Sequence, residues 1–131
     1  MTRNDAREIM MQILYEMEAA NEMNEETVQR LAGERLAGNH VQRGEELLGA
    51  IVADLEEVDA KINACSTRWK TSRMPKVDLA IMRLAAGEMM FAEDIPDAVA
   101  INEAIRLAKK YSTADSSKFI HGVLGAISKN A

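Results

Sequence analysis

Cysteine, aromatic residues and proline are all scarce in this chain. Cys65 is the only cysteine among 131 residues, so an intramolecular disulfide cannot form and a cysteine-based metal site has no ligand set. Phe, Tyr and Trp together make up 4% of the sequence. The core must therefore be aliphatic, with nine methionines as adaptable filler. Two prolines, well apart, suit long helices better than many short strands. No apolar run approaches the roughly 20 residues that cross a bilayer. Where a signal peptide would place its apolar core, the chain carries Arg3, Asp5, Arg7 and Glu8. These absences predict a soluble, cytoplasmic protein with no membrane contact.

What is present is apolar content at helix spacing. Hydrophobic residues make up 47% of the chain, which argues against disorder. The length suits one domain, spanning residues 1–131. Net charge is −5, but it is unevenly spread. Residues 21–60 hold ten acids against three bases, whereas residues 61–83 hold six bases against Asp78 alone. From Arg106 onward five bases face only Asp115. One acidic block masks two basic ones, so a local basic surface is compatible with an acidic whole.

The periodicity predicts six helices. The first runs from about Arg3 to Asn21 on Ile9, Ile13, Leu14 and Met17. A shorter one from about Glu25 carries Val28, Leu31 and Leu36. A long third, capped by Asn39, carries one stripe from Leu47 through Ile51, Leu55 and Val58 to Ile62. Asn63 to Ser72 reads as an irregular connection. Pro75 and Pro96 suit the first turns of the fourth and fifth helices, and Asp115 or Ser116 caps the sixth. No strand alternation appears. The expected fold is all-α, a single-domain bundle of six or seven helices.

Candidate chemistry is thin. Glu88 lies on the apolar stripe of the fourth helix, where an interhelical ion pair is the favoured reading over a tuned catalytic acid. His40 and His121 are too few and too scattered for a zinc site. Ser116-Ser117 fits helix capping better than nucleophilic catalysis, and no Gly-rich loop has phosphate-cradle spacing. The chain reads as a binder, with no enzyme activity, cofactor or metal expected. Three features remain for binding. Arg3 and Arg7 lie one turn apart on one helix face. Lys118-Phe119 sets a cation beside an aromatic, the pairing that holds single-stranded RNA by phosphate contact and base stacking; Phe119 fits the core equally well. Trp69, between Arg68 and Lys70, is expected to anchor its loop against the bundle rather than stack a base.

Several segments resemble the NusB family in order and spacing. They are Ala6-Arg-Glu-Ile-Met-Met-Gln-Ile-Leu-Tyr15, Trp69-Lys-x-x-Arg73 through Glu88, Val99-x-Ile-Asn-Glu-Ala-Ile-x-Leu-Ala-Lys109, and Ser116-x-Lys-Phe-x-x-Gly-Val-Leu124. The resemblance implies an all-helical, non-enzymatic factor of transcription antitermination. Its implied partners are boxA-type single-stranded RNA, the ribosomal protein NusE and the RNA polymerase antitermination complex, with a homodimer as an alternative assembly. Carried over residue by residue, it assigns RNA contacts to Arg3, Arg7, Lys118 and Phe119, and NusE contacts to Asp78, Met82 and Arg83. The chain departs from the family pattern in two places: Asn4 and Asp5 interrupt an arginine cluster, and Gly87 stands where relatives commonly have an aromatic. Weaker alternatives are a helical adaptor that binds proteins only, and a relative of the N-terminal domain of ribosomal RNA cytosine methyltransferases; the latter would need a methyl-donor domain, for which the sequence has no room before Ala131.

Overall fold

The computed structural model describes residues 1–130. They form seven α-helices and no strand: α1 Arg3–Ala20, α2 Glu25–Arg35, α3 His40–Ala53, α4 Leu55–Cys65, α5 Lys76–Phe91, α6 Asp97–Tyr111 and α7 Ala114–Lys129. A short 3-10 turn, Thr71–Arg73, links α4 to α5. The helix starts follow from local chemistry. Thr2 and Asp5 make a reciprocal capping box, each side chain accepting the other's backbone N–H at 3.1 Å. Asn24 accepts from the Thr27 N–H at 2.9 Å and starts α2. Asn21 ends α1 with φ 56°, a left-handed conformation that asparagine tolerates.

Two boundaries differ from expectation. The long third helix is two helices, because Asp54 leaves the helical region (φ −114°, ψ 34°) between Ala53 and Leu55. The break places Glu56 and Glu57 in the first turn of α4, where the helix dipole favours negative charge. At α7 the cap is Thr113, which accepts the Ser116 N–H at 3.0 Å, rather than Asp115 or Ser116.

The bundle is organised around α5, which packs against α1, α3, α4, α6 and α7. Every residue from Asp78 to Glu88 is buried. The stripe from Val77 to Glu88 therefore understates the helix, since α5 is enclosed nearly all round. Gly87 permits a close crossing: a Cβ there would lie 2.4 Å from the side chain of Ile51 on α3. Ile51, fully buried, thus occupies the space that a larger residue at position 87 would need.

Candidate nucleic-acid interface

The polar residues drawn into the core come first, because they decide what remains for a ligand. Arg7 is 6% exposed. Its Nε donates to Glu88 Oε2 at 2.8 Å, and its Nη1 reaches Glu103 Oε1 at 3.4 Å. Burial pushes the Glu88 carboxyl above its ordinary range, and the bond from Arg7 pulls it back down. The cluster clips α1, α5 and α6 together, as the ion-pair reading of Glu88 anticipated. It also leaves Arg7 enclosed and paired with two carboxylates in the free protein, unlike the exposed Arg3. Spacing put Arg3 and Arg7 on one face; it could not show that the face dips into the core within one turn.

The expected docking edge on α5 is likewise enclosed. Asp78 is 2% exposed and accepts hydrogen bonds from the Ser112 and Ser116 hydroxyls, both at 2.7 Å. Met82 is wholly buried. Arg83 makes a two-pronged bond to Asp59 at 2.8 and 2.9 Å and a further one to Glu18. Burial works against the Arg83 charge, yet these carboxylates outweigh it and hold the guanidinium above its usual pKa. In the free protein all three side chains are enclosed, and Asp78 and Arg83 join helices to one another. The reason is the central position of α5.

Three of the singled-out residues stay at the surface. Lys118 is exposed on the first turns of α7 and pairs with no carboxylate among the described residues. Phe119 beside it is half-buried: it packs against the core and leaves the rest of its ring at the surface. Arg3 is exposed at the start of α1, 3.4 Å from Asp94 in the α5–α6 connection. Arg3 and Lys118 thus lie at opposite ends of α6, which at 15 residues is about 22 Å long. A compact ligand cannot touch both; a strand can.

At the C-terminal end of α6 lies a polar network that the sequence reading missed. Glu8 on α1 accepts from Lys110 Nζ at 2.6 Å and from the Tyr111 hydroxyl, while Gln12 donates to Tyr111 at 3.1 Å. These bonds hold the Glu8 carboxyl below its ordinary range. Tyr111 is 37% exposed, with the Lys110 ammonium 5.4 Å from its ring centre. The signal was available in the Lys109-Lys110-Tyr111 run; its partners on α1 were not.

A cleft of about 390 Å³ lies between α1, α3 and the α5–α6 connection. Arg3, Arg43 and His40 line it together with Glu46, Glu93 and Asp94. Asp94 bridges Arg3 and Arg43, the latter at 3.0 Å. With charges of both signs, the cleft selects neither anions nor cations. Among the described residues no group of His, Cys, Asp and Glu could hold a metal ion, and no helix is long and apolar enough to cross a membrane.

Comparison with known proteins gives a consistent answer. The NusB family model matches residues 4–129. The transcription antitermination protein NusB of Acetivibrio thermocellus is 42% identical over 130 residues, covering 98% of this chain and 90% of that protein. Its counterpart in Agathobacter rectalis is 42% identical over 127 residues, covering 95% and 97%. Among solved structures, T. maritima NusB superimposes with a TM-score of 0.88 at 29% identity, covering 98% of this chain and 92% of that one. A chain from the crystal structure of antitermination factors NusB and NusE in complex with dsRNA gives 0.84 at 25% identity, covering 98% and 97%.

Proposed function

The chain belongs to the NusB family, and from that premise we propose that it is a transcription antitermination factor that binds boxA-type RNA together with NusE. It acts by binding, not catalysis, within the cytoplasmic transcription machinery. The observation that carries the RNA reading is Lys118, a cation with no carboxylate partner among the described residues, standing beside the half-buried Phe119. That pairing supplies one phosphate contact and one stacking surface, and Arg3 adds a second cation at the far end of α6. With Arg7 committed to Glu88, few phosphate contacts remain on this face, so its own affinity for RNA is modest and weakly salt-dependent. NusE extends the RNA surface and tightens the complex, making the pair the functional unit.

Filter binding with boxA-like RNA, with and without NusE, tests this reading. Retention that NusE strengthens, and that Lys118→Ala weakens, is the expected outcome. RNA retention unaffected by both, or absent throughout, would leave a protein-binding adaptor as the better description.

A further inference from the structure

Eight of the sixteen Lys and Arg side chains pair with carboxylates among the described residues, and eight do not. Five of the unpaired eight fall within sixteen consecutive residues: Lys61, Arg68, Lys70, Arg73 and Lys76. All five are exposed. The one acid in that stretch of chain and the residues just after it, Asp78, is buried and committed to Ser112 and Ser116. A protein with a net charge of −5 therefore leaves one concentrated positive surface without internal neutralisation.

Trp69, the only tryptophan in the chain, stands in the middle of it. The expected role, anchoring the loop against the bundle, belongs to other residues: Ser66, Thr71 and Met74 are buried, whereas Trp69 is 37% exposed. The Arg68 guanidinium carbon lies 5.7 Å from the Trp69 ring centre, a cation–π pair at the surface. The loop is pinned from below. Asn63 Oδ1 accepts the Thr71 N–H at 2.8 Å, the Asn63 carbonyl accepts from Lys70 Nζ at 3.1 Å, and the Ser66 hydroxyl exchanges hydrogen bonds with the Trp69 backbone. An exposed aromatic on an ordered loop costs little further entropy when it meets a ligand.

We propose that Arg68, Trp69, Lys70, Arg73 and Lys76 form a second contact surface for single-stranded RNA, separate from Arg3, Lys118 and Phe119. An exposed ring among unpaired cations is the combination that holds a strand without reading its sequence, the ring stacking a base and the cations meeting phosphates. The surface is also placed to continue the first one. Asp78 joins α5 to the α6–α7 turn through Ser116; Lys76 is two residues before Asp78, and Lys118 is two residues after Ser116. The inference goes beyond the proposed function and shares with it only the choice of RNA as ligand.

Because Trp69 is the sole tryptophan, intrinsic tryptophan fluorescence reports on this loop alone. Titration of the full chain with a 20-nucleotide oligouridylate should quench or shift that emission, progressively less as salt rises. The triple variant Arg68→Ala, Lys70→Ala, Arg73→Ala, checked for fold by circular dichroism, should lose the response and lower the salt slope by about 2 for three lost phosphate contacts. It should bind a 12-nucleotide boxA-like RNA as the parent does. Extending that RNA by ten uridylates should raise parental affinity on the order of ten-fold and leave the variant's unchanged. Trp69→Ala should lose most of the gain, and Trp69→Phe should retain it. Unaltered emission together with no gain from the extension overturns the inference, even where the short boxA RNA binds normally. An equal response to polyglutamate overturns the assignment to nucleic acid. Failure of the short RNA alone, with the oligouridylate response intact, counts against Lys118 and Phe119 and leaves this surface standing.

Discussion

Arg7 and Glu88 show how one pair of residues can divide structure from function. Removing one partner strands a charge in the core, so Glu88→Gln should cost about 3–5 kcal/mol in a denaturant titration. The double change Arg7→Met, Glu88→Leu should recover most of that, since an apolar pair of similar volume needs no desolvation. A double variant no more stable than Glu88→Gln would mean that the cluster does more than hold helices together. Asp78 belongs to the same class. Asp78→Lys should destabilise the fold, because it replaces the buried acceptor of two hydroxyl hydrogen bonds with an unpaired cation. Phe119→Ala combines the two cases: half-buried, it should cost roughly 2 kcal/mol of stability and lower RNA affinity of the folded protein on the order of ten-fold. Loss of stability with affinity intact would assign the ring to the core alone. Residue identities were legible here, and burial was not. An arginine on an amphipathic helix looks the same in sequence whether its turn faces water or two carboxylates on other helices.

At the scale of elements, local signals placed five of the seven α-helices well, since caps, prolines and 3.6-residue periodicity act within a few residues. The split at Asp54 was hidden because the apolar stripe continues in register across it, and only the backbone angle changes. The enclosure of α5 was hidden for a different reason: alanine and methionine on its flanks read as neutral until five neighbouring helices cover them. That packing makes Gly87 sensitive. Alanine there would gain about 1 kcal/mol of helix propensity, but it would crowd Ile51, whose side chain sits 2.4 Å from the new Cβ. Overpacking of this kind costs about 1–3 kcal/mol, so Gly87→Ala should lower the melting temperature, and adding Ile51→Val should restore part of it. The α1–α6 contact carries a pH signature. The Glu8 carboxyl is held below its ordinary value of 4.5 by Lys110 and Tyr111, so the unfolded chain takes up the proton first. Its contribution is full above that value and is lost as pH falls through the lower folded-state value. Glu8→Gln should therefore flatten the acid limb of the stability curve while leaving its neutral plateau slightly lower.

The whole molecule is acidic, and that sets what it can do alone. Repulsion between a chain of net charge −5 and RNA limits encounter, and the cations without a carboxylate partner among the described residues are concentrated between Lys61 and Lys76, with Lys109, Lys118 and Lys129 on α6 and α7. Such a protein gains most from a partner that adds phosphate contacts at high effective concentration. If NusE raises RNA affinity, RNA must raise NusE affinity by the same factor, because the two equilibria share one thermodynamic cycle. Asp78, Met82 and Arg83 are enclosed in the free protein, so a conservative change there should alter stability, and its effect on the coupling tests them as NusE contacts. Calorimetric titration of NusE into the protein, with and without boxA RNA, measures the factor directly, and a ratio of roughly 5–150 is the usual range for coupled sites. Equal NusE affinities in the two titrations would sink the cooperative model: RNA and NusE would then occupy the protein independently, and the modest free-protein affinity set by so few available cations would be all that boxA recognition has to work with.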